Sequence, residues 1–213
     1  MKILQINSVV GFGSTGKIAA EISNTLIESG HESYIAYGRN ESRAAQNDIK
    51  IGSQISTYWH VLITRLFDRT GYGSKLATKQ FIKQIKRIDP DIIHLHNIHG
   101  YYINLKILFE YLKKADKPVL WTLHDCWAFT GHCAYFDYAG CDKWQKMCQN
   151  CPQKKTYPKS IFLDNSKSNY IDKKRFFTGV KNMTLITPSD WLKGVVQKSF
   201  LNIYPAKTIN NGI

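Results

Sequence analysis

Histidine and aspartate side chains lie in two short stretches that each begin as an apolar strand. The first, IIHLHNIHGYY, contains His94 and His96, which in a strand point to the same face. The second, TLHDCW, places His124 directly before Asp125. A neutral histidine can donate a hydrogen bond to a hydroxyl group, and an aspartate can orient the histidine or accept a bond. We therefore predict that His96, His124 and Asp125 contact a ligand, whereas His94 packs in the core. The two histidines of His94-x-His96 could also form half of a metal site, but the sequence places no third ligand near them.

Glycines cluster between the strand KILQI and a helical pattern that begins near Ile18. A turn at this point leaves backbone N–H groups free, and together with the helix dipole they can hold a phosphate or another anion. The residues expected to do so are Gly11, Gly13, Ser14 and Gly16. A tight turn without any ligand is the alternative explanation of these glycines.

Two nucleotide-binding motifs are close to this glycine turn. The spacing G-x-G-x-x-G is that of a dinucleotide fingerprint, whereas a P-loop is disfavoured because Ile18 stands where a Ser or Thr must hold Mg²⁺. The next strand, ESYIAY, ends in Gly38-Arg39 without an acidic residue for a ribose. Arg39 would instead meet a 2′-phosphate, so an NADP-dependent dehydrogenase is a competing interpretation.

Strand-like and helix-like segments alternate along the chain. Further strands are predicted at IIHLH, PVLWTLH, MTLIT and near Lys207, and helices at QISTYWHVLITRLF, KLATKQFIKQIKRI, around Leu105–Leu112 and at SDWLKGVVQKSF. This order predicts an α/β fold with a doubly wound, mostly parallel sheet, in which ligands bind beyond the carboxyl ends of the strands. That edge is expected to collect the glycine turn, His96, Asn97, His124, Asp125 and Ser189.

The segment QISTYWHVLITRLF repeats apolar residues at helical spacing. One face of this helix is marked by Ile55, Trp59, Leu62, Ile63 and Leu66, and in one interpretation Trp59 packs in the core. In a second interpretation, the region that contains Trp59, Arg65, Phe67 and Arg69 faces an anionic membrane surface.

The chain is strongly basic, with 29 Lys and Arg residues against 16 Asp and Glu and a formal charge of +13. This balance favours anionic partners such as nucleotides, phosphorylated lipids or an acidic membrane face. No nucleic-acid recognition motif is present, so no nucleic-acid partner is expected. No stretch approaches the about 18 apolar residues of a membrane span, and Gln5 and Asn7 interrupt the first strand too early for a signal peptide. A cytoplasmic protein is expected.

Residues 126–165 are rich in cysteine, aromatic residues and lysine and have no clear period, which indicates a loop insertion. Cys133, Cys141, Cys148 and Cys151 are separated by 7, 6 and 2 residues. The last pair has the spacing of half a tetrahedral thiolate site, so a structural Zn²⁺ is predicted. Disulfides and buried free thiols are the alternatives, and Cys126 is left over beside Trp127.

These segments, in this order, resemble the N-terminal domain of family 4 nucleotide-sugar glycosyltransferases, which consist of two facing Rossmann-like domains, the GT-B arrangement. The similar segments are KILQINSVVGFGSTGKIAAEI, SYIAYGR, DIIHLHNIHGYYINL, PVLWTLHDCWAFTGHC, LITPSDWL and INNGI. The bacterial surface-polysaccharide branch is nearest, because TLHDCWAFTGHC followed by a Cys-rich segment is typical there.

The resemblance implies an acceptor-binding domain over residues 1–206 and, at 207–213, the start of a crossover to an absent donor-binding domain. It implies an enzyme that transfers a sugar, with retention, from a nucleotide sugar to a sugar or lipid-linked acceptor in capsule, exopolysaccharide or lipopolysaccharide synthesis. His96 matches the family's histidine near the transferred sugar, with His124 and Asp125 beside it, and the glycine turn leaves room for the donor diphosphate. No cofactor is required for catalysis, and the enzyme would work at the inner face of the plasma membrane.

By this resemblance the present chain alone should bind acceptor with little or no turnover. Besides the dehydrogenase, a non-catalytic module that binds anionic glycans or membranes is the remaining alternative.

Overall fold

The computed structural model describes residues 1–39 and 47–212, and in this part of the chain seven strands form one sheet. The strands are β1 (Lys2–Asn7), β2 (Glu32–Tyr37), β3 (Asp48–Lys50), β4 (Ile92–Leu95), β5 (Val119–Thr122), β6 (Met183–Thr187) and β7 (Ala206–Thr208). The helices are α1 (Gly13–Glu28), α2 (Gln54–Phe67), α3 (Lys75–Ile88), α4 (Leu105–Ala115), α5 (Ser166–Phe177) and α6 (Asp190–Val196).

The sheet has the order β3-β2-β1-β4-β5-β6-β7, and every pair is parallel. The predicted α/β class with a doubly wound parallel sheet is confirmed. The chain leaves β1 toward β2 on one side and later returns to β4 on the other, so the direction of winding reverses between β1 and β4. At such a point the loops beyond the carboxyl ends diverge and open a crevice.

The face of α4 that helical periodicity predicts to be apolar lies in the core. Leu105, Leu108, Phe109 and Leu112 are all buried. Phe109 packs on Phe177 with ring centroids 4.5 Å apart, and Phe177 meets Trp121 of β5 at 5.0 Å. The indole Nε1–H of Trp121 donates to the backbone oxygen of His96 at 3.1 Å. The aromatic core therefore also fixes the chain just beyond the end of β4.

The prediction that Trp59 packs in the core was wrong, although the helix itself lies where the sequence places it. Ile55 and Trp59 are 79% and 64% exposed, and the buried residues of α2 are His60 and Thr64. The His60 ring accepts a hydrogen bond from the Gly71 N–H at 2.9 Å and contacts the Ser74 hydroxyl at 2.9 Å. A polar residue thus anchors the helix, so the apolar stripe is turned outward.

Residues 126–165 connect β5 to α5. This fully described segment contains three single 3₁₀ turns, at Trp127–Phe129, Asp137–Ala139 and Lys143–Gln145, and neither an α-helix nor a strand. At the other end of the chain, β7 crosses the predicted domain boundary at residue 206, and Ile213 lies outside the described residues.

Candidate functional site

A cavity of about 490 Å³ opens at the carboxyl edge of the sheet, where the winding reverses. Five of the predicted site residues line it, namely Gly13, Ser14, Asn97, His124 and Asp125. Arg39, Phe12, Tyr135, Pro188 and Asn211 contribute to the same walls. Gly11, Gly16, His96 and Ser189 are not among the lining residues.

The glycines around the start of α1 have two separate structural roles. Gly11 and Gly13 both have φ of +63°, a conformation that favours glycine. The Gly11 N–H donates to the Gly16 carbonyl at 3.0 Å, and a Cβ on Gly16 would lie 3.1 Å from the Val9 side chain. Gly11 and Gly16 therefore shape the turn, whereas Gly13 has open space beside it and faces the cavity.

Ser189 and Asn97 are also held by backbone contacts. The Ser189 hydroxyl caps α6 by accepting from the Leu192 N–H at 3.2 Å, which accounts for this serine without a ligand. The Asn97 N–H donates to the Asn7 side chain at 3.2 Å, and Asn7 donates in turn to the Val9 carbonyl at 2.9 Å. Asn7 therefore ties together the loops that follow β1 and β4.

His96 lies behind His124 in a buried hydrogen-bonded chain that begins at Gln5. The Gln5 amide nitrogen donates to the Ala19 carbonyl at 2.9 Å, so its oxygen accepts from His96 Nε2 at 3.0 Å. Burial, with smaller effects from His94 and His124, holds the pKa of His96 well below its usual value. His96 Nδ1 is then the unprotonated nitrogen, and it accepts from His124 Nε2 at 3.2 Å. This chain leaves Nδ1 of His124 without a proton.

Asp125 is held by His99 and by the backbone of Trp127, and His99 is bonded in turn to Tyr157. Its Oδ2 accepts from His99 Nε2 at 2.8 Å, and His99 Nδ1 is hydrogen-bonded to the Tyr157 hydroxyl at 2.9 Å. Its Oδ1 accepts from the Trp127 N–H at 2.9 Å. Burial alone would raise the pKa of Asp125, but the charge and hydrogen bond of His99 and the Trp127 bond keep it below its usual value. Asp125 is therefore a fixed carboxylate at neutral pH.

Among the described residues that line the cavity, the basic side chains are Arg39, which carries a guanidinium group, and His124. The backbone N–H groups of Gly38 and Arg39 both donate to the Ser8 carbonyl, at 3.2 and 2.9 Å. Within the described part of the chain, the buried Nε of Arg39 has no hydrogen-bond partner. Among its described lining residues, the cavity thus combines a guanidinium, the open first turn of α1 and a carboxylate.

The predicted metal-binding cysteines lie elsewhere. Cys133, Cys141, Cys148 and Cys151 line one separate cavity of about 10 Å³, while Cys126 is buried outside it. His94, the other metal candidate, is bonded through Nε2 to the Thr122 hydroxyl at 2.8 Å. Across residues 1–39 and 47–212, no three His, Cys, Asp or Glu side chains are arranged so that they could hold a metal ion as they stand.

In the described ranges, none of the helices has the length and apolar character needed to traverse a bilayer.

The sequence model of Glycosyltransferase Family 4 matches residues 15–213. A curated relative, the "Putative colanic acid biosynthesis glycosyl transferase WcaC" of Escherichia coli (strain K12), is 29% identical over 231 aligned positions, which cover 100% of this chain and 55% of the relative. The chain therefore spans about half the length of the curated relative that it matches.

Two solved structures are more distantly similar. "Spinosyn Forosaminyltransferase SpnP" is 12% identical with a TM-score of 0.43, over 90% of this chain and 47% of that one. The UDP-GlcNAc 2-epimerase from Neisseria meningitidis bound to UDP-GlcNAc is 8% identical with a TM-score of 0.35, over 100% of this chain and 73% of that one. Both scores are low, so the fold assignment rests on the sheet topology itself.

Proposed function

The chain belongs to Glycosyltransferase Family 4, and from that premise we propose that it is the acceptor-binding half of a nucleotide-sugar-dependent glycosyltransferase. The product is a bacterial surface polysaccharide of the capsule, exopolysaccharide or lipopolysaccharide type, and the sugar is transferred with retention. The E. coli relative, whose name refers to colanic acid biosynthesis, supports the polysaccharide class. The observation that carries the proposal is the family match over residues 15–213, together with the polar cavity at the carboxyl edge of the sheet.

The anionic part of the substrates binds between Arg39 and the first turn of α1. Arg39 lines the cavity together with Gly13 and Ser14, and among the described residues its buried Nε has no hydrogen-bond partner. α1 begins without a side-chain cap and without an acidic residue in its first turn, so its N–H groups are available to a diphosphate. Exposed aromatic rings of Phe12 and Tyr135 provide apolar walls for a sugar.

The reacting hydroxyl of the acceptor binds at His124 and Asp125. His124 presents an unprotonated Nδ1, because its Nε2–H is committed to His96. It can therefore accept the hydroxyl proton or hold the hydroxyl by a hydrogen bond. Asp125, fixed by His99, places a negative charge beside it. His96 contributes as a positioning residue that keeps His124 in this tautomer.

The transferase proposal predicts sugar transfer only when a donor-binding half is supplied. A fusion of this chain to such a half should transfer label from a radioactive nucleotide sugar to a lipid-linked or oligosaccharide acceptor, while the 213-residue chain alone should show little or no turnover. Thermal-shift measurements with NADPH are the control for the competing dehydrogenase. Stabilisation by NADPH together with absence of transfer from a panel of nucleotide sugars would contradict the proposal.

An exposed apolar surface on α2 suggests where the membrane lies. Besides Ile55 and Trp59, the exposed side chains are Tyr58, Leu62 and Phe67 of α2 and Ile161, Phe162 and Leu163. The segment 161–163 is held against the end of α2, because the Ile161 N–H donates to the Arg65 carbonyl at 2.7 Å. With the charge of +13, this surface suits an anionic leaflet, so the protein is peripheral at the inner face of the plasma membrane.

Replacing Trp59 with serine should weaken binding to vesicles that contain anionic phospholipid by ~10-fold, since a buried aromatic ring contributes apolar area to the interface. Co-sedimentation at low and high salt measures this, and salt should reduce binding by screening the basic residues. Trp191→Ser is the matched control, because Trp191 is 56% exposed on α6. Absence of binding at low salt, or equal loss in both variants, would count against α2 as the membrane surface.

A further inference from the structure

We propose that Cys133, Cys141, Cys148 and Cys151 bind one structural Zn²⁺ through their four thiolates. All four line a single cavity of about 10 Å³, although they are spread over 19 positions of an irregular segment. A space of this volume is on the scale of one probe sphere and holds a single small species. Four thiolates complete the tetrahedral coordination of zinc and leave no open position for water, so the ion stabilises structure.

The backbone around the cavity is held in place by contacts that bring distant segments together. A Cβ on Gly131 would lie 2.7 Å from Cys148 Cβ and 2.2 Å from the Ser166 backbone oxygen. Only glycine at position 131 therefore allows these three segments of the chain to approach each other so closely. The Asp164 carboxylate accepts from the Cys151 N–H at 2.6 Å and from the Ser166 N–H at 2.9 Å. The Cys148-x-x-Cys151 knuckle is thereby attached to the start of α5.

Ligation requires the thiol groups to turn toward a common point, since no three of them are arranged to hold an ion as they stand. The χ1 angle of a cysteine has three staggered positions, and a change between them would move a thiol without moving the backbone. The backbone therefore supplies the convergence, and side-chain rotation completes the site.

A buried histidine in the same wall supports a charged ligand. His132 lines the cavity and is 2% exposed, and its Nε2 has no hydrogen-bond partner among the described residues. Its Nδ1 is bonded to the buried carboxylate of Asp68, which fixes the ring. An unpartnered buried polar atom is costly unless a partner is supplied. A zinc ion held by the thiolates would place a polar group beside this nitrogen, in the cavity that His132 also lines.

A buried lysine supplies the counter-charge. Lys173 of α5 is 2% exposed and donates through Nζ to the carbonyls of Trp127 and Thr130, at 2.6 and 3.1 Å. The two carboxylates that act on it, Asp68 and Asp125, are each already paired with a histidine. A zinc ion with four thiolates carries a net charge of −2, and it would balance an ammonium group that is otherwise expensive to bury.

The test is elemental analysis of the chain purified without chelator, with the variants Cys141→Ser, Cys148→Ser and Cys126→Ser. We expect about one zinc per chain in the wild type and in Cys126→Ser, where a buried cysteine outside the cavity is the matched control. Cys141→Ser and Cys148→Ser should lose most of the zinc. His132→Gln should retain stoichiometric zinc with about 10- to 100-fold weaker affinity, as expected for a group that contacts a ligand.

If the serine variants fail to fold, cobalt replaces the variants as the probe. Co²⁺ added to wild-type protein stripped by chelator should give the absorption of a tetrahedral thiolate site and should be displaced by Zn²⁺. Metal-free wild-type protein with all thiols titratable would overturn the proposal, and so would loss of free thiols without metal, which indicates disulfides. Zinc retained at full stoichiometry by Cys141→Ser would overturn the four-thiolate ligand set.

Discussion

Replacing His124 with alanine, in an enzyme that contains both halves, should lower the rate of sugar transfer by roughly 10²- to 10⁴-fold. His124 lines the 490 Å³ cavity and holds its Nε2–H on His96, so its Nδ1 is free to receive the acceptor proton. Burial lowers the pKa of His124 and outweighs the opposing effect of Asp125, which keeps the ring neutral at pH 7. The measurement is kcat and KM for transfer, with circular dichroism to confirm that the fold is intact.

His96→Ala is the comparison that separates contact from positioning. His96 is 1% exposed and does not line the large cavity, so its removal should act by releasing the tautomer of His124. We expect a smaller loss of kcat than for His124→Ala, accompanied by a changed pH profile. A full loss in His96→Ala with an unchanged rate in His124→Ala would return the direct role to His96, the residue that the sequence resemblance favours.

The order of elements could be predicted because it depends on local pattern. The alternation of strands and helices, with a buried apolar stripe on α4, was sufficient to predict a parallel sheet. In a parallel sheet the residues that follow the carboxyl end of each strand lie at one edge. α5 was not predicted, because Ser166, Asn169 and Lys173 are on its buried side. Apolar periodicity fails for such a helix, since its buried Asn169 and Lys173 side chains are satisfied by contacts distant in sequence. The apolar face of α2 was misjudged for the same reason, because the buried residue that fixes this helix is the polar His60 and not an apolar side chain.

The candidate site was only partly predictable for a similar reason. Strand ends point to His124, Asp125 and Asn97, and the structure places all three at one cavity. Asp125 is supported by His99, and His99 is bonded to Tyr157. His99 and Tyr157 are 58 positions apart in the sequence, so no rule based on residue spacing predicts their contact. One available signal was Gln5, a polar residue within the apolar strand KILQIN, which is fully buried and orients His96. A polar residue inside a central strand requires a buried partner, and here that partner belongs to the site.

The free energy of unfolding should fall steeply as the pH is lowered from about 6.5 toward 4. Burial lowers the pKa of His60 and of His94 to about 4, and it holds the pKa of His96 well below its usual value. A histidine whose pKa is lower in the folded state binds fewer protons than it does when unfolded, so stability is complete above the unfolded pKa of about 6.5 and is lost below it. At pH 5, His60 alone should cost about 2 kcal/mol relative to pH 7.5.

His60 is the cleanest of these groups to test, because it is remote from both the catalytic candidate residues and the cysteines in sequence and its role is fixed by geometry. Its neutral Nε2 accepts from the Gly71 N–H at 2.9 Å, and protonation would replace that acceptor with a second donor. The free energy of unfolding of His60→Gln, measured in urea at pH 7.5 and 5.0, should change less between these two pH values than that of the wild type. The difference should be about 2 kcal/mol, as expected for His60. His31→Gln, at a partly exposed histidine between α1 and β2, is the matched control. Equal pH dependence in the wild type and His60→Gln would show that His60 does not need to be neutral in the folded state, and would remove the tautomer assigned to it.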